Sequence, residues 1–117
     1  MKKIVLLLSA CMLISLMGYT PKITPDKVPT PVKQAFAKKF SDAIDVKYEM
    51  KKKYYEVTFK DNGDMMSANF NSKGEWLETE IIINESDLPK EVSTSVAKNF
   101  AGFIILEISQ IDSIIPF

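Results

Sequence analysis

A chain of 117 residues allows one small domain, and its formal net charge is zero. All 15 basic residues are lysine; there is no arginine and no histidine. That composition excludes histidine-based triads, histidine-ligated zinc and an arginine-rich nucleic-acid surface.

Met1–Gly18 reads as a secretory signal peptide. Lys2-Lys3 form the positive start, Ile4–Met17 is an apolar run of 14 residues, and Tyr19-Thr20-Pro21 breaks it. A run of that length is short for a membrane-spanning helix. Leu8-Ser9-Ala10-Cys11 also spells a bacterial lipobox, which would lipidate Cys11 and make the protein an outer-membrane lipoprotein. Its placement is poor, because only Ile4–Leu8 precedes it as apolar stretch. The expected product is therefore a periplasmic or secreted protein without a lipid anchor. Cys11 is the single cysteine, so the processed chain has no internal disulfide and depends on burial for stability.

Charge is unevenly spread. Residues 19–60 carry ten lysines against five acids, and residues 61–117 carry three against ten. Such polarity steers partners or solvates a surface.

Residues 19–27 form an extended lead-in. A first helix starts near Pro29–Pro31, since proline is tolerated in the first turn. Val32, Phe36 and Phe40 recur four apart and give it one apolar face; Ser41-Asp42 ends it. The period then becomes two. Ile44, Val46, Tyr48 and Met50 alternate with polar residues in a first strand, and Lys51–Lys53 turn the chain. Tyr55, Val57 and Phe59 mark a second strand. Asn62-Gly63 between Asp61 and Asp64 is a strong two-residue hairpin signal. With that loop, Phe59 faces Met66, Val57 faces Ala68 and Tyr55 faces Phe70. A turn at Asn71–Gly74 leads to a fourth strand, from about Glu75 to Ile83. Asn84–Asp87 links to a second helix bearing Val92, Val96 and Phe100, and Phe103–Ile108 reads as one more strand.

The chain repeats itself at an offset of 60 residues. Val28-Pro29, Val32, Ala37-Lys38, Phe40 and Ile44 match Leu88-Pro89, Val92, Ala97-Lys98, Phe100 and Ile104. The fold class expected is α+β: a helix packed on an antiparallel four-stranded meander (residues 28–83), then a partial second repeat of helix plus one strand (residues 88–117). The ending at Ile114-Ile115-Pro116-Phe117 reads either as a natural short form or as the product of a frameshift or early stop.

The repeat starts, the run Val32–Phe40, the stretch Asn71–Glu80 and the run Leu88–Phe100 together resemble the PepSY-like family. Its members are exported bacterial proteins of Bacteroides type. The resemblance implies a fold similar to β-lactamase inhibitor protein and covers about residues 28–108.

No catalytic constellation is visible, so the chain is read as a non-enzymatic binding module, protein-binding or inhibitor-like, with an envelope protein or peptide as partner. Parity places Lys47, Glu49, Tyr54, Glu56, Thr58, Lys60, Met65, Ser67 and Asn69 on the sheet face away from the helices. Of these, Lys47, Tyr54 and Met65 are partner-binding candidates, together with Trp76. A four-residue loop at Asn71–Gly74 puts Trp76 opposite Asn69 on that open face; a three-residue loop with a glycine bulge puts it opposite Phe70 on the core side. An alternative reading is a calcium- or ligand-responsive envelope protein using Asp61 and Asp64, since calcium needs only oxygen ligands. A third is a shortened product with little function. An unprotected last strand also predicts self-association.

Overall fold

The computed structural model describes residues 22–114 and the backbone of residues 2–7. Cys11, Gly18 and the Ile115–Phe117 ending lie outside the described residues.

The chain forms strands β1 (Lys2–Leu7) and β2 (Lys22–Ile23), helix α1 (Thr30–Lys39), strands β3 (Ile44–Met50), β4 (Tyr55–Asp61), β5 (Asp64–Phe70) and β6 (Trp76–Ile82), helix α2 (Lys90–Asn99) and strand β7 (Glu107–Ser113). All strands join one antiparallel sheet in the order β1-β7-β6-β5-β4-β3-β2. The expected meander is β3 to β6. The lead-in is not simply extended: Lys22-Ile23 pair with β3, and Pro25–Lys27 form a 3-10 turn.

α1 forms where its apolar spacing predicts, with Pro31 in the first turn and Phe40 capping the end. Val32 and Phe36 are buried against Val57, Phe59, Ala68 and Phe70 from β4 and β5. The ring of Phe36 lies 5.0 Å from that of Phe59 and edge-on to it; Phe40 lies 4.6 Å from Phe59. This aromatic cluster is the core, and it fixes which sheet face is covered.

The β4–β5 hairpin has the expected register throughout, from Asp61 opposite Asp64 to Tyr55 opposite Phe70. Asn62 and Gly63 both take positive φ, the conformation a two-residue primed turn requires.

Three strand details depart from simple alternation. At β3 the register shifts between Ile44 and Lys47, and Asp45 takes φ 55°. The bulge turns Ile44 opposite Lys60, so it is exposed rather than core-facing. At the β5–β6 turn, Asn71 N–H donates to the Glu75 carbonyl and Glu75 N–H donates back to Asn71 Oδ1, leaving a three-residue loop that ends on Gly74 at φ 83°. Trp76 consequently faces Phe70. A further register shift then sets Asn69 opposite Glu78, with Leu77 the extra residue, so Thr79 and Ile81 stay on the core side.

The offset of 60 is carried into the backbone. The 3-10 turns Pro25–Lys27 and Glu85–Asp87 and the helices Thr30–Lys39 and Lys90–Asn99 are displaced by that number at both ends. The likeness stops there. α2 buries none of its residues, although Leu88 just ahead of it is buried like Val28. The last strand is Glu107–Ser113, not Phe103–Ile108. Gly102 ends the helical segment at φ 89°, and Phe103, Ile104 and Leu106 stay exposed. Strand formation needs a ladder, and the ladder on β6 runs from Ile82–Ser109 to Glu78–Ser113. An apolar run without that reach does not become a strand. β7 closes the edge of the first sheet rather than beginning a second one.

Candidate functional site

Because α1 covers one face of the meander, every second residue of β3 to β6 projects from the other. The register arranges these residues in cross-strand rows. One row runs Glu49, Glu56, Asn69, Glu78. The next runs Lys47, Thr58, Ser67, Glu80. In the third, Lys60 stands between Ile44 and Met65.

The first row is largely compensated by Lys51, from the turn beside it, and by Asn69. Lys51 Nζ lies 2.9 Å from Glu49 Oε2 and 3.6 Å from Glu56 Oε1. The hydrogen bond to Glu49, aided by the Glu56 charge against some loss of solvation, holds the Lys51 ammonium above the ordinary lysine range. Asn69 Nδ2 donates to Glu78 Oε1 at 2.7 Å, while its buried Oδ1 has no partner. At the other margin, Lys60 Nζ lies 3.2 Å from Asp45 Oδ2.

The middle row and its neighbours form a shallow groove of about 310 Å³, lined by Glu56, Thr58, Met65, Ser67, Glu80 and Ile82 among others. A second recess runs along Lys47, Thr58, Lys60 and Met65. Met65 is 40 % exposed and Ile82 45 %. Hydroxyl groups thus sit at the centre, a cation and a carboxylate flank them, and two apolar side chains stand beside them. This surface is suited to hydrogen bonding and apolar contact. With no histidine in the chain, Thr58 and Ser67 lack the usual base partner for nucleophilic chemistry.

Of the expected contact residues, Lys47 and Met65 are on this face. Tyr54 is half-buried in the turn between β3 and β4, where its carbonyl accepts from Lys51 N–H. Trp76 is at the same end of the sheet but on the core side, packed against the core cluster. Its Nε1 donates to Thr79 Oγ1 at 2.8 Å. Trp76 is therefore a margin of the core, not an open-face anchor. Ile44 and Ile82 are apolar members of the face not singled out from sequence. Strand parity marks Ile82; only the Asp45 bulge reveals Ile44. Asp61 and Asp64 face each other across the hairpin, with Asp61 Oδ1 buried and unpartnered. Among the described residues no three acidic, cysteine or histidine side chains gather as a metal-ligating group.

The sequence matches the model of the family described as "Putative beta-lactamase-inhibitor-like, PepSY-like" twice, over residues 18–67 and 53–114. The chain belongs to the PepSY-like family.

Solved structures share its fold. A BLIP-like protein from Bacteroides fragilis is 22% identical, with a TM-score of 0.66 over 85% of this chain and 67% of that one. A DUF2874 family protein from Bacteroides uniformis is 19% identical, with a TM-score of 0.69 over 74% and 64%. A chain from Bacteroides eggerthii, named among "putative periplasmic proteins", is 20% identical, with a TM-score of 0.70 over 74% and 64%. The PepSY-like chain spans about two thirds of the length of each. No curated protein matches it. No helix among the described residues is long and apolar enough to cross a membrane.

Proposed function

We propose that this PepSY-like chain is a non-catalytic binding module of the cell envelope that holds a protein or peptide partner on the open face of its sheet. The observation that carries this reading is the placement of exposed Met65 and Ile82 beside Thr58 and Ser67, between Lys47 and Glu80. Apolar anchors beside unsaturated hydrogen-bonding groups are what a protein partner uses. The fold of an inhibitor-like family agrees with it by analogy only, because fold does not fix function.

The test is recovery of partners by the exported protein from envelope extract. Met65→Asp combined with Ile82→Asp is expected to abolish recovery while the melting temperature holds. Lys73→Ala, in an exposed turn, is expected to leave it intact. A partner retained equally by both variants overturns the reading.

A further inference from the structure

β7 has two edges. Its inner edge pairs with β6. Its outer edge pairs with β1 over six residues, from Lys2 opposite Asp112 to Leu7 opposite Glu107. The outer edge is therefore regular enough to accept a full antiparallel strand. β1 lies inside Met1–Gly18, the segment that reads as a signal peptide. Removing that segment strips β1 away and leaves a row of backbone N–H and C=O groups unpaired.

We propose that the processed chain pairs with a second copy of itself, β7 against β7, antiparallel about a two-fold axis. This goes beyond the open-face reading and does not depend on it. Three features point to a second copy. First, β7 is self-complementary. Pairing about Gln110 sets Glu107 opposite Ser113 and Ile108 opposite Asp112, so no like charges meet. Second, β7 carries neither lysine nor proline, and its two charged residues, Glu107 and Asp112, stand near its ends and leave the middle of the edge uncharged. The opposite edge is guarded: β2 is only Lys22-Ile23, and β3 behind it carries Lys47. Third, Phe103, Ile104 and Leu106 lead directly into β7 and are 58, 79 and 64 % exposed. They supply apolar surface beside the seam. A two-fold pairing consumes both free edges, so the assembly closes at two copies and does not grow.

The experiment starts from the full chain, exported by a bacterial host and purified from the envelope. Mass spectrometry reads whether residues 1–18 are gone, and sedimentation velocity reads the oligomeric state. Cys11 falls within the leader, so the processed chain has no thiol. Gln110→Cys alone, and Ser109→Cys combined with Ile111→Cys, then place reporters that oppose each other across β7 in that register, with Lys73→Cys in an exposed turn as control. Directly opposed strand residues stand about 5 Å apart at Cβ, within reach of a disulfide after small adjustment. The expected result is a processed dimer. At least one β7 cysteine should cross-link about tenfold or more faster than the control, because pairing fixes the two thiols at high effective concentration. A processed chain that stays monomeric overturns the proposal. So does a leader that remains attached, or a dimer whose β7 cysteines cross-link no faster than Lys73→Cys. Two reporters guard against one of them failing to fold.

Discussion

The ammonium of Lys39 stands 4.2 Å from the centroid of the Trp76 ring. The contact joins the last residue of α1 to the first residue of β6. It closes the core at the end where Tyr55, Phe70 and Trp76 line up across three strands. Trp76→Ala should therefore cost about 2–3 kcal/mol in denaturant unfolding, through lost packing and the lost bond to Thr79. Lys39→Ala should cost about 0.5–1 kcal/mol, the size of an exposed cation–π contact. Trp76→Phe, which keeps an aromatic ring there but gives up the bond to Thr79, should leave partner recovery unchanged.

Gly74 is held by two constraints at once. Its φ is 83°, and a Cβ there would come within 2.5 Å of the Pro31 carbonyl oxygen. The β5–β6 turn thus packs directly on the first turn of α1. Gly74→Ala should destabilise by about 2 kcal/mol or more, since both the strain and a backbone clash act against it. Gly63 has a similar φ but open space around it. Gly63→Ala should cost less, about 1 kcal/mol, from conformation alone. Thermal melts of the two variants give the comparison.

Stability should fall on the alkaline side. Burial raises the Tyr48 phenol above its usual 10.0, and the bond to Glu49 raises Lys51 above 10.5. In both cases the folded state binds the proton more tightly than the unfolded chain. Their contribution is complete below about pH 10 and disappears as pH rises through the raised values. Melting temperature should be level up to that point and drop beyond it. Tyr48→Phe, which cannot ionise, should make the drop shallower.

The repeat predicts unequal costs at matched positions. Phe36 sits at the centre of the aromatic cluster, while its counterpart Val96 is only half-buried on a helix that buries nothing. Phe36→Ala should cost about 3–5 kcal/mol and Val96→Ala less than about 1 kcal/mol in the same denaturation assay.

These contrasts show where sequence reasoning reaches. The β4–β5 register was legible because Asn62-Gly63 admits one loop length, which settles every later pair. Both helices were legible because apolar residues four apart have one physical use. The face of Trp76 was not, because Asn71–Gly74 is compatible with two loops that differ by one residue, and one residue inverts a strand. Ile44 was misplaced for the same reason, through a bulge at Asp45 that alternation does not announce. The last strand was misplaced because apolarity signals burial and not hydrogen-bonding reach; Ser109, buried in β7, belongs to a segment that looks polar. Lys47 and Met65 of the candidate face were legible from parity alone, whereas its apolar partner Ile44 required the bulge.

The most direct measurement for the binding face is site-specific photo-crosslinking in the exporting cell. A benzoylphenylalanine placed at Met65 or at Lys47, both exposed on the open face, should capture the same partner species. The same group at Lys73 in the exposed β5–β6 turn should capture none. Identical products from all three positions, or no product from Met65 and Lys47, would contradict the open face as the binding surface.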